Sequence, residues 1–367
     1  MSIKTTIKHI IGMGAPLIRV RSKMPHTVAE NLLAEYSPDP NTTCVAHNKI
    51  DEKYDLHIIV ACYNVEDFIV ECLNSIMNQD TKYSYIVTAV NDGSTDRTGE
   101  ILNKYSNDYP DKLEVITQEN KGLSGARNSA LRRIKGRYVT FVDSDDVLMP
   151  NAVESLMNHA EDITQGSYYN FRVGSKGDVK RQVVLATQLS GFPWGKIFKA
   201  EVLEKFKFPE GYWFEDTPIS CIMYGMGYRM NTIQDIVYGY RLNPNGISAT
   251  AGHSKRSIES WYITKKCYEE YPDFGVDYDQ RAYDYLLNQC VMNEKRTQHQ
   301  PKKIREAIFT LECELMMKYF ANFSTQDSNF RRIESALKKK EFVSFELLVR
   351  AEQILRLVKY KFLVSTQ

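Results

Sequence analysis

Between Leu56 and Val142 the sequence alternates short apolar runs with segments of helical spacing, and that alternation leaves few folds open. Leu56-His57-Ile58-Ile59-Val60-Ala61 reads as a buried strand, and Val65 to Gln79 then carries Phe68, Cys72, Leu73 and Ile76 at helical spacing. Tyr85-Ile86-Val87-Thr88-Ala89-Val90, Leu113-Glu114-Val115-Ile116 and Arg137-Tyr138-Val139-Thr140-Phe141-Val142 read as further strands. Thr98 to Tyr109 and Ser124 to Ile134 supply helices between them. Such an order requires parallel strands, because a parallel neighbour is reached only through a crossover long enough to hold a helix. The expected class is α/β, a Rossmann-like, mostly parallel sheet flanked by helices.

In an open α/β sheet, ligands bind in the crevice beyond the carboxyl ends of the strands. Two of these strands run into acids, in Asn91-Asp92-Gly93-Ser94-Thr95-Asp96 and in Asp143-Ser144-Asp145-Asp146. Carboxylates spaced i, i+2 at a strand end can converge on one hard cation and leave positions for water and phosphate oxygens. Three acids at one mouth repel each other unless a cation is present. A metal with a diphosphate is the expected occupant.

A net charge of +1 argues against a nucleic-acid partner for the chain as a whole. The seven cysteines are scattered without a CxxC pair, which reads as a reduced, cytoplasmic protein without structural zinc. No apolar run is long enough to span a membrane, and Ile10-Ile11-Gly12-Met13 is too short and broken for a secretory signal. Residues 1–53 read as a basic and polar extension, 54–253 as a catalytic domain with halves 54–146 and 147–253, and 254–367 as a helical region. From Phe342 to Phe362, Phe345, Leu348, Ala351, Leu355, Val358 and Phe362 recur at spacings of three and four among lysines and arginines. That basic amphipathic helix has two readings: packing onto the protein, a homo-oligomer contact included, or peripheral contact with the inner face of the cell membrane.

Val60-Ala61-Cys62-Tyr63-Asn64, Asn91 to Asp96, Asn120-Lys121-Gly122-Leu123-Ser124-Gly125-Ala126-Arg127-Asn128 and Asp143 to Asp146 together resemble the ordered signature of family 2 glycosyltransferases with the GT-A fold. Trp194-Gly195-Lys196-Ile197-Phe198-Lys199, Phe214-Glu215-Asp216 and Tyr240-Arg241 with Gly246-Ile247-Ser248 resemble the second half of the bacterial capsular and exopolysaccharide members. The resemblance covers roughly residues 55 to 250. Two departures stand out: the family often has Pro where this chain has Ala61, and a first Asp where it has Asn91. Neither removes a catalytic group.

The resemblance implies an inverting, metal-dependent transfer of a sugar from a nucleotide diphosphate, with UDP fitting well, to a glycan or lipid-linked glycan acceptor in cell-surface polysaccharide synthesis. Asp143 and Asp145 would hold Mn²⁺ or Mg²⁺ against the diphosphate. Asp92, Ala61 and Tyr63 would bind the nucleoside, with Ser144 and Arg241 nearby and His253 in a late loop. Arg127 has two readings, neutralising phosphate or pairing with the acidic cluster. Asp216 is placed by the family pattern as the general base and Glu215 as its neighbour orienting the acceptor or Lys196, while capping of the following helix is the other role open to Asp216. Trp194 has the ring to stack on an acceptor sugar, with core packing as its alternative, and Lys196 is grouped with it. A sugar-1-phosphate nucleotidyltransferase would show a glycine-rich N-terminal loop that Val60 to Asn64 lacks, and a non-catalytic glycan or partner binder would have no need of the intact acids.

Overall fold

The computed structural model describes residues 20–173, 179–243 and 251–364, with the side chains of Val173 and of 355–364 outside the description. The chain divides into two compact units. One gathers the described parts of 1–39, 250–265 and 277–367, and the other those of 40–249 and 266–276.

The second unit is built on a nine-stranded sheet. Its first half follows the expected crossover order: β1 (Lys49–Cys62), α1 (Ile69–Met77), β2 (Tyr85–Asp92), α2 (Thr98–Asp108), β3 (Leu113–Gln118), α3 (Gly122–Leu131) and β4 (Arg133–Asp143). β3, β2, β1 and β4 lie side by side and all pair in parallel. Every residue of β2 is buried, as a strand covered by helices on both faces requires. β1 begins at Lys49 rather than Leu56, because its partly exposed, largely charged first half pairs with β4 across a register shift between Ile50 and Tyr54.

Beyond β4 the sheet turns mixed. β5 (Val147–Leu148), α4 (Ala152–Asn158), β6 (Ile163–Val173), β7 (Val179–Val184), β8 (Lys196–Lys199), α5 (Thr217–Cys221) and β9 (Met230–Arg241) follow in order. β8 lies antiparallel to both β4 and β6, β5 lies antiparallel to β9, and β7 folds back on β6. β9 alone of these runs parallel to its neighbour, β6.

The helical unit buries part of the segment read as an N-terminal extension. His26–Tyr36 is a helix that buries Ala29 and Leu33 and packs on Lys302–Phe320. The last helix, Phe342–Val364, buries Phe342, Phe345 and Val349, and the first two rings pack on Phe309. The packing reading therefore holds for its first turns. Leu355, Val358 and Phe362 lie outside the described side chains. His253, expected near the diphosphate, belongs to this unit and stacks on His299. Among the described residues no helix is long and apolar enough to cross a membrane.

Candidate active site

Strand register brings the acids to one level. Ala61 pairs with Val90 of β2 and with Asp143 of β4, so three strands run out together. Beyond their ends lies a cavity of about 480 Å³ whose walls include Ala61, Tyr63, Asp92, Asp143, Ser144, Asp145 and Arg241. The sequence pattern names each of these seven. It passes over Asn120, Gly122, Leu123, Tyr240 and Asn243, which line the same cavity, although Asn120 to Leu123 sit inside a quoted motif.

The turn after β2 depends on glycine. Gly93 has φ +73°, and a Cβ there would stand 2.9 Å from the Asn120 amide. This close approach brings the loop after β3 against Asp92. One Asp92 oxygen accepts from Gln118 Nε2 at 2.7 Å and from the Lys121 N–H at 2.9 Å. Asn91 accepts from the Ser94 N–H at 3.1 Å, so the amide that replaces the family's first Asp serves the turn. Asp96 accepts from the Thr98 N–H at 3.0 Å, two residues on, just ahead of α2. On the facing side Asn64 adopts φ 49°, its Oδ1 accepting from the Thr95 N–H at 2.8 Å, and its neighbour Tyr63 stands half exposed.

The acidic turn after β4 divides into distinct roles. Asp146 is buried and works as a staple: its two oxygens accept from the Arg241 N–H at 2.7 Å and from the Tyr238 hydroxyl at 2.8 Å. Burial and the charges of Asp143 and Asp145 push its carboxyl well above the ordinary range. Asp145 is pushed up to about 6, first by burial and then by Asp143. Arg241 holds the turn in place, donating from Nε to the Asp145 carbonyl at 2.6 Å while its guanidinium lies over the Phe68 and Phe171 rings. Asp143 and Asp145 are thus crowded carboxylates at a cavity wall, a donor set that suits a hard divalent cation with other ligands from phosphate and water. Among the described residues no group of three His, Cys, Asp or Glu side chains could hold a metal.

Two expected contacts need correction, and Arg127 takes one of its two readings. Arg127 is buried below the cavity wall and donates to Asp143 at 2.7 Å and to Glu215 at 2.8 Å. Its pairing reading is the one this geometry carries. Trp194, expected on an acceptor sugar, is 6% exposed, with Phe192, Tyr238 and Tyr240 stacked nearly parallel to it and Tyr168 edge-on. Lys196, expected beside it, is fully buried and donates to the Ser190 carbonyl at 2.6 Å and the Tyr224 hydroxyl at 2.9 Å. Burial drives that amine well below the usual lysine range, with the charge of Asp216 acting against it.

Asp216 directly precedes α5, with Pro218 in its first turn, yet its side chain makes no capping hydrogen bond to the helix. The capping role is thereby removed. Glu215 is buried, and burial raises its carboxyl against the pull of Arg127. Arg127 therefore links the acidic turn of β4 to the two acids ahead of α5. Gly246-Ile247-Ser248 lie outside the described residues.

A parallel half-sheet ending in an acid-lined cavity, joined to a mixed half that carries a second pair of acids, defines the GT-A class of nucleotide-sugar transferase fold. Residues 57–228 match the sequence model of glycosyl transferase family 2. It is 33% identical over 225 residues to glycosyltransferase GlyA of Streptococcus pneumoniae, covering 54% of this chain and 32% of that protein. It is 32% identical over 215 residues to the uncharacterized glycosyltransferase EpsJ of Bacillus subtilis, covering 52% of this chain and 62% of that one. The chain thus spans less than two thirds of either relative. The crystal structure of S. aureus TarS 1–349 in complex with UDP-GlcNAc superposes with a TM-score of 0.60 over 82% of this chain and 91% of that one, at 19% identity. That likeness is one of fold.

Proposed function

We propose that this protein is an inverting glycosyltransferase that moves a sugar from a nucleotide diphosphate, UDP in the first instance, to a hydroxyl of a glycan acceptor in the assembly of a bacterial cell-surface polysaccharide. The observation that carries this reading is the convergence of Asp92, Asp143 and Asp145 on one cavity, with Asp143 tied through Arg127 to Glu215 beside Asp216. A UDP-sugar in the fold neighbour TarS supports the choice of nucleotide.

In the proposed reaction Asp92 accepts from the base N–H and the exposed Tyr63 ring covers the base face. Asp216 takes the proton of the acceptor hydroxyl as its oxygen bonds to the anomeric carbon. The bond from that carbon to the diphosphate oxygen breaks on the opposite face, so the configuration inverts and the electron pair leaves with the nucleotide diphosphate. Mn²⁺ or Mg²⁺ held by Asp143 and Asp145 would supply positive charge to the leaving diphosphate. Arg127 fixes Asp143 and neutralises Glu215, so that ionised carboxylate at Asp216 is not opposed by an unpaired one beside it. Contact of the last helix with anionic lipid at the inner membrane face belongs to the same proposal. UDP release from a panel of UDP-sugars with a glycan acceptor and Mn²⁺ tests the reading, and no turnover with any donor would contradict it.

A further inference from the structure

We propose that the acceptor is an anionic strand, a phosphodiester-linked polyol or glycan, and that it lies across the exposed β6–β7 end of the sheet and the Phe192 ring, next to the cavity. This deepens the transferase reading and rests on it for the direction of transfer. Pairing registers define the surface. Tyr168, Asn170 and Arg172 alternate along β6 and so face one side with Gln182 and Lys180 of β7 and Tyr238 and Tyr240 of β9; Tyr238 is buried beneath Trp194, and Arg172, Lys180 and Gln182 form the exposed end of that side. Tyr240 also lines the donor cavity, which makes the surface continuous with it.

Two features of this side await an occupant. Arg172 and Lys180 are directly opposite each other in the β6–β7 pairing, both are exposed, and neither has an ion-pair partner among the described residues. Like charges directly opposite on a sheet are destabilising, and a shared anion reverses the sign. Paired strands hold such side chains about 5 Å apart at Cβ, a spacing that lets a guanidinium and an ammonium reach one phosphodiester together. The second feature is aromatic. Trp194 is closed off, but Phe192 stacks on its outer side at 4.7 Å and remains 40% exposed. An exposed ring backed by a rigid aromatic stack suits the apolar face of a polyol or sugar. The stacking role expected of Trp194 passes outward to Phe192, and Arg172 with Lys180 read the charge.

The test uses the full chain and a fluorescent glycerol-phosphate hexamer, with binding followed by anisotropy at two salt concentrations. A galacturonate hexamer, a neutral maltohexaose, inorganic phosphate and phosphatidylglycerol vesicles serve as parallel probes. UDP affinity is measured on each variant. The double variant Arg172→Gln/Lys180→Gln should lose roughly tenfold or more of its hexamer affinity and much of the salt dependence while UDP binding is unchanged. Phe192→Ala should weaken the hexamer at both salt concentrations alike. Equal hexamer binding by wild type and double variant overturns the proposal. So does a galacturonate hexamer, free phosphate or vesicle that binds as tightly as the glycerol phosphate and loses as much in the double variant. A wild type that fails to bind any nucleotide overturns the transferase reading instead, a result independent of the hexamer arm.

Discussion

Glu215 accepts from Arg127 at 2.8 Å, deep beneath the cavity, and the same guanidinium holds Asp143 at 2.7 Å. One buried cation thus sets the spacing between the acids at the end of β4 and the acids ahead of α5. Removing it leaves Glu215 buried and unpaired and takes the partner from Asp143 at the cavity wall. Arg127→Ala should therefore cost about 3–5 kcal/mol of stability, measured by urea denaturation. Arg127→Lys keeps the charge but not the fork and should fall in between. A loss below about 1 kcal/mol would show that water reaches these acids and that the link is not structural.

The metal assignment is tested at Asp145. Asp145→Ala removes one hard oxygen ligand and leaves Asp143, already engaged by Arg127, as the remaining carboxylate. Calorimetry should show UDP binding that is strengthened by Mn²⁺ in the wild type and indifferent to it in the variant. Equal affinity with EDTA, with Mn²⁺ and in the variant would remove the metal.

Asp145 also fixes a pH dependence. Its carboxyl is raised from 3.8 to about 6, so its protonated form stabilises the unliganded fold fully below 3.8, and that contribution is lost as pH rises through about 6. A cation needs the ionised form, so Mn²⁺ affinity should move the opposite way. It should climb by about tenfold per pH unit below 6 and level off above it. A flat profile between about pH 5 and 7.5 would contradict the assignment of Asp145 as a ligand.

How far the sequence reaches is shown by particular residues. Asp92, Asp143 and Asp145 are legible because a run of buried strand residues ends in each case at an acid, and parallel register then aligns the ends. The start of β1 is not, because Lys49 to Asp55 is partly exposed and largely charged and gains its strand only by pairing with β4 through a register shift. The fates of Trp194 and Lys196 depend on groups distant in the chain: rings from β6 and β9 close over Trp194, and Tyr224 and Ser190 take the Lys196 amine. Local pattern carries no trace of such contacts. Arg127 was equally open, since an arginine in the first turns of a helix serves phosphate or carboxylate alike until the partner's position is fixed.

The last helix is tested by flotation with anionic vesicles. A truncation ending at Ile354 keeps the buried Phe342, Phe345 and Val349 and removes the basic end. The full chain should float more than the truncation at low salt and lose the difference at high salt. Equal recovery of both would leave packing as the helix's role.

The most direct test of the account is Asp216→Asn. Asparagine is nearly isosteric, and the Asp216 side chain makes no helix cap that the change would disturb. Donor affinity and thermal stability should stay at the wild-type level while the transfer rate falls roughly 10²-fold or more, the pattern of an interaction made chiefly in the transition state. A fully active Asp216→Asn enzyme would contradict the assignment of the base. Inactivity that merely tracks lost thermal stability would do the same, and would send the search to Glu215.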